Sequence, residues 1–300
     1  MIITTALLGV LLLSSPASGS LPCPPDGMTR ADLIRLKQAK FEMPSADERD
    51  RLAVRLLGCL DDADPAIRDG VVFEALSTWL RGKALSPAAI NTLQSSLAAT
   101  LSGPKDAAGF RLPFAALVLS EVARADRIEP VFTESVRADL VELAAASLMR
   151  VDDYRGFHPV EGWRHGVAHG SDLVLQLALN PRVGVPGLRR LMEAVSTQVA
   201  PRGAEFYTFG EPERLARAVV FAYRRNLLDA SFWEAWLAAL ASPKPLADWG
   251  SAFLTLEGLA KRHNTVAFLH ALSFAGRAGG DEAGRAIAGL ADKAVAQIGN

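Results

Sequence analysis

The chain has 300 residues, half of them hydrophobic, and its 32 Lys and Arg against 33 Asp and Glu leave a formal net charge of −1. Near-neutrality gives nucleic-acid binding no electrostatic support, and the cysteine count excludes a CxxC redox pair and a four-cysteine zinc site. The apolar share is enough for a sizeable core, arranged as one large domain or two smaller ones.

The first segment, Ile2 to Leu13, is apolar apart from Thr4, Thr5 and Gly9 and runs into small residues at Ala17, Ser18 and Gly19. That pattern predicts a signal peptide over residues 1–19, cut near Ala17 or Gly19. Its apolar run is short of the roughly 20 residues that a membrane-spanning helix needs, and no later segment is longer. The expectation is an exported protein, periplasmic or secreted, without a transmembrane segment in the mature chain. An N-terminal arm and first helix follow over 20–44, with Cys23 between Pro22, Pro24 and Pro25. In an oxidising compartment two readings of the cysteines stand. Either Cys23 and Cys59 pair, closing a loop for roughly 3 to 4 kcal/mol, or both remain thiols with Cys59 buried.

From there the apolar spacing is helical nearly everywhere. Thr29 caps a helix to about Phe41, Ser45 a second from Ala46 to Leu60, and Asp64 with Pro65 opens a third to Leu80, since proline is tolerated at the first helical position. Ser86 and Pro87 repeat that start for a helix to about Leu101. Further helices are predicted at Phe110–Ala125, Thr133–Val151, Val160–Leu179, Pro186–Val199, Pro212–Leu227, Ser231–Leu240, Leu246–Arg262, Thr265–Ala275 and Asp281–Ile298. Ser231 and Glu234 have capping-box spacing. Residues 60–80 read like a HEAT-type unit, with an acidic turn, a proline and Arg68, although no strict period of about 40 residues repeats. The fold class expected is all-α, antiparallel helix pairs stacked as a HEAT-like α-α superhelix in a single domain over 45–300.

The densest run of titratable side chains lies between Asp153 and Pro181. On a helix over Val160–Leu179, at about 100° per residue, His165, His169, Asp172 and Gln176 fall on one face with Glu161 on the same side, opposite a stripe of Trp163, Val167, Val174 and Leu177. Gly166 and Gly170 beside that stripe each cost about 1 kcal/mol relative to alanine, so a backbone or a ligand is expected to pack closely there. Two histidines four apart suit one metal ion, with Asp172 as a ligand or an orienting group. The zincin general base is missing, because Gly166 stands in its place. In the bland reading the same face meets solvent and the loop before it. Glu211 and Glu213 suit a helix N-terminus, and Arg214 offers an anion site or a partner for those carboxylates. Trp233 and Trp236 read as core.

The motifs RDGVVFEALSTWL (residues 68–80), DYRGF with GWRHGVAHGSDL (within 153–173) and GEPERLARAV (210–219) together resemble the bacterial family catalogued as domain of unknown function 2785. The resemblance spans about residues 45–245. It implies a helical fold, carries no activity with it, and marks Asp69, Glu74, Arg155, His165, His169, Asp172, Glu211 and Arg214 as positions shared with the family pattern.

Two functions follow as expectations. The first is a binding or scaffolding module, presenting His165, His169, Asp172 and Arg214 to a protein or small-molecule ligand. The alternative is a metal-dependent hydrolase with His165, His169 and Asp172 holding zinc, manganese or iron and with Asp153, Glu211 and Arg155 as catalytic candidates.

Overall fold

The computed structural model describes residues 21–299, so the expected leader falls outside the described residues. The chain is all-α apart from one two-residue hairpin. Helix α1 (Arg30–Gln38) starts at Thr29, whose side chain accepts from the Asp32 N–H while Asp32 accepts from the Thr29 N–H, a reciprocal capping box. Helix α2 (Ala46–Arg55) is capped by Ser45 and runs into a 3₁₀ turn over Leu56–Cys59. That turn carries Cys59 to Cys23, and the two form a disulfide with Cα atoms 4.9 Å apart.

Asp64 and Pro65 open α3 (Pro65–Ile67) as the sequence predicts, but the helix does not run unbroken to Leu80. A π-helical turn over Arg68–Phe73 intervenes before α4 (Glu74–Arg81). Such turns widen a helix by one residue. Here the widening accompanies a fully buried Arg68.

The remaining helices are α5 (Pro87–Ser102), α6 (Arg111–Ile128), α7 (Glu134–Met149), α8 (Gly166–Ala178), α9 (Val185–Val199), α10 (Glu211–Arg224), α11 (Ala230–Leu240), α12 (Leu256–Ala278) and α13 (Glu282–Ile298). Successive helices alternate between two rows. Helix α4 packs on α6, α6 on α8, α8 on α10 and α10 on α12, while α5 packs on α7, α7 on α9 and α11 on α13. One connected apolar core runs through both rows from Leu33 to Ile298, with Trp233 and Trp236 inside it. At about 1.5 to 3 kcal/mol per fully buried large apolar side chain, this core is the main source of stability. Buried indoles keep their polar atom satisfied: Trp79 Nε1 donates to the Phe41 carbonyl at 2.9 Å and Trp236 Nε1 to the Met192 carbonyl at 3.0 Å.

One buried polar cluster ties α6, α7 and α8 together. The Asp126 carboxylate accepts from the Val131 and Phe132 backbone N–H groups, from Arg137 Nε at 2.7 Å and from Asn180 Nδ2 at 3.1 Å. Every lone pair it buries has a donor.

Three sequence expectations need correction. The helix expected from Val160 begins only at Gly166, because residues 157–163 form the hairpin of β1 (Phe157–His158) and β2 (Gly162–Trp163). Leu246–Arg262 and Thr265–Ala275 are not two helices. A 3₁₀ turn over Gly250–Leu254 precedes one long α12, since buried Asn264 spends its side chain on the Glu205 carbonyl and the Tyr207 N–H rather than on breaking its helix. The cap of α11 is Asp229, which accepts from the Phe232 N–H, while Ser231 only donates to Asp229.

Candidate functional site

The predicted face is assembled by a turn and two neighbouring helices. His165 is not a residue of α8 but its N-cap, held at φ 57° in the left-handed region that costs a non-glycine residue about 1 to 2 kcal/mol. Its backbone is pinned on both sides: its N–H donates to the Arg155 carbonyl at 3.1 Å and its carbonyl accepts from the His169 N–H at 3.0 Å. Strain of this kind persists where the surroundings over-determine it, and it clusters at working sites.

Both imidazoles are buried, at 8% exposure for His165 and 7% for His169, with ring centres 5.7 Å apart. Trp163, expected opposite them, stacks on His165 at 4.7 Å and stays partly exposed. The hairpin turns it over. Phe209 meets Trp163 edge-on from the loop before α10, and Phe114 of α6 meets His169 edge-on at 5.2 Å. The stripe of Val167, Val174 and Leu177 is buried as expected.

Helix α10 supplies the rest. Gly210, at φ 85°, turns the chain into α10 so that Glu211 enters buried at 3% exposure. Its Oε2 accepts from the Phe209 N–H at 2.9 Å and its Oε1 stands 3.9 Å from His165 Nε2, too far for a direct hydrogen bond. Arg214, one turn on, donates to the Asp172 carboxylate of α8 at 2.5 Å. Among the described residues, His165 Nε2 and His169 Nδ1 are buried and have no hydrogen-bond partner.

Burial sets the charge state. Desolvation, helped by the nearby Arg214 cation, pushes His165 down to about 4, and desolvation with His165 and Arg214 nearby pushes His169 down to about 3. Both are neutral near pH 7. Burial also raises the Glu211 carboxyl, and it raises Asp172 although Arg214 pulls the other way.

The hairpin is fastened from behind by residues the sequence reading did not single out for the site. Buried Arg68 donates to the Glu161 carbonyl at 2.7 Å and to the Asp62 carbonyl at 2.8 Å, and Asp69 pairs with it at 2.9 Å. Arg68 lies 3.9 Å over the Phe110 ring, and Arg164 lies 4.2 Å from the same ring. Phe110 thus sits between two guanidinium groups, each contact on the order of 1 to 2 kcal/mol when desolvated. Two glycines make the turn possible. A Cβ on Gly156 would strike the Phe209 ring at 2.1 Å, and Gly162 sits at φ 75° with Arg68 close by. These glycines bracketing HPVE were the available signal for the turn.

Some expected members lie apart from the imidazoles. Asp153 and Arg155 bind each other, and Arg155 also donates to the Ala108 carbonyl. Gln176 accepts from Arg127, and Glu161 pairs with Arg164 in the hairpin turn. The expected metal triad is not assembled, because Asp172 is committed to Arg214. Among the described residues no group of three or more His, Cys, Asp or Glu side chains is disposed to hold a metal ion.

Fold and site together define an all-α protein that encloses a neutral histidine pair beside a buried carboxyl. The chain belongs to the family described as "Protein of unknown function (DUF2785)", whose model matches residues 97–274. Two of the motifs quoted above, those containing His165 and Glu211, fall inside that match. The first, with Arg68 and Glu74, precedes it. No curated protein and no solved structure matches the chain, and no helix among the described residues is long and apolar enough to cross a membrane.

Proposed function

We propose that this chain is an exported helical-repeat protein of the HEAT-like kind, working as a binding module whose ligand site is the buried cluster of His165, His169 and Glu211. The observation that carries this reading is the pair of buried imidazole nitrogens without a partner. A buried polar atom left unpaired costs about 1 to 3 kcal/mol, a cost that a bound hydrogen-bonding group removes. The imidazoles, held neutral by burial, offer both donors and acceptors, which suits an uncharged polar group. The aromatic rim of Trp163 and Phe209 suits its apolar side. Repeat arrays present such sites between neighbouring helices, and a leader over residues 1–19 directs the module to the periplasm or the exterior.

The test is native mass spectrometry and pull-down with untagged protein incubated in envelope extract. A ligand held by the wild type and lost from His165→Ala and His169→Ala, with their helical circular dichroism unchanged, supports the proposal. Identical recovery by all three proteins overturns it. So does near-stoichiometric zinc, manganese or iron that disappears in His169→Ala, which would return the site to metal chemistry.

A further inference from the structure

A recess on different side chains lies between α5, α6, α7 and the start of α8. It is a cavity of about 90 Å³ whose walls include Leu101, Leu112, Pro113, Ala116 and Val151. Gly166 and Gly170 also face it. Their missing side chains matter: a Cβ on Gly166 would stand 3.3 Å from Val151 Cγ1, and one on Gly170 would stand 3.0 Å from Leu148 Cδ1. Gly170, inside α8, costs about 1 kcal/mol relative to alanine, and Gly166 opens the helix; both border a tight contact and an apolar space. Against an apolar cavity of roughly 150 Å³ that admits benzene, this one has room for about three or four carbons.

The cavity's rim is charged and its partners are unequally shared. Asp152 pairs with Lys105, Asp153 pairs with Arg155, and Asp106 accepts from the Phe110 and Arg111 N–H groups. Each carboxylate at the rim thus has a donor. Arg150 has none of them: among the described residues its guanidinium meets only the Leu101 and Gly103 carbonyls, at 3.2 and 3.4 Å, and the residue is exposed. An apolar pocket with a guanidinium at its edge is the arrangement that takes an apolar tail ending in an anion.

We propose that this cavity binds a short-chain monocarboxylate, its alkyl tail among Leu112, Ala116 and Gly170 and its carboxylate on Arg150. The ligand is distinct from that of the histidine cluster, and the site stands whether or not that cluster binds anything.

Isothermal titration of the full chain with acetate, butyrate, hexanoate and 1-butanol tests the assignment. Butyrate should bind most tightly, with hexanoate weakened because its tail exceeds the cavity's volume and 1-butanol weaker by about tenfold for want of the charged contact. Arg150→Gln should lower butyrate affinity by about the same factor and leave 1-butanol unchanged. Gly166→Ala should narrow the cavity and weaken both, with its thermal melt confirming a folded protein. Absence of butyrate binding overturns the proposal, and so does butyrate binding that Arg150→Gln and Gly166→Ala leave unaltered.

Discussion

Two buried polar clusters lie against α6 and are built on opposite terms. Around Asp126, two backbone N–H groups, Arg137 and Asn180 supply every bond the carboxylate asks for. Around His165 and His169, two imidazole nitrogens equally withdrawn from water have nothing to bond. The first cluster is a staple between helices. The second bears a stability cost that the fold alone does not offset, and the proposed ligand site rests on this difference more than on the presence of histidine.

The largest effect expected from breaking the comparison is at the staple. Asp126→Ala leaves Arg137 buried and unpaired, and such losses run to about 3 to 5 kcal/mol. Urea unfolding should show it, and a loss under about 1 kcal/mol would mean the cluster is not structural. At the histidine pair the same kind of change should behave differently. His169→Leu removes an unsatisfied group and keeps its volume, so stability should stay within about 1 kcal/mol of wild type or rise, as read by thermal melting.

Acid sharpens the contrast. His165 and His169 have folded values depressed from 6.5, to about 4 and about 3, so the unfolded chain binds protons first as pH falls. Their contribution to stability is complete above about pH 6.5 and is lost progressively below it, through the window down to about 3. Glu211 and Asp172, raised by burial, act in the opposite sense by favouring the folded state as they take up protons. A double variant, His165→Leu with His169→Leu, should therefore lose less stability than wild type between pH 6.5 and 4. Parallel acid limbs for the two proteins would show that neither imidazole is held neutral. The smallest effect is expected on the surface, where Arg190→Ala breaks pairs with exposed Glu142 and Glu193 at about 0.5 kcal/mol or less.

The helices were legible because their punctuation is local: Thr29, Ser45, Asp64 and Ser86 all cap where the sequence places them. The grouping of His165 with His169 was legible from spacing, whereas spacing joined Arg214 to the carboxylates of its own helix and not to Asp172. The route to the histidine pair was not legible. A periodic reading extends α8 back through Trp163, whereas the chain reverses there because Arg68, 93 residues before Glu161, binds the hairpin backbone. No window on the sequence contains that contact. Likewise Asn264 looks like a helix break and is a buried tie to the 205–207 loop. Long-range polar contacts override local pattern at both places.

Because Arg68 precedes the segment that the family model matches, the contacts that hold the hairpin reach beyond that segment. A fragment trimmed to residues 97–274 would carry both imidazoles yet lose the guanidinium that underlies Phe110 and secures Glu161. Any shorter relative lacking an N-terminal arginine would have to anchor its Trp163 equivalent by some other means.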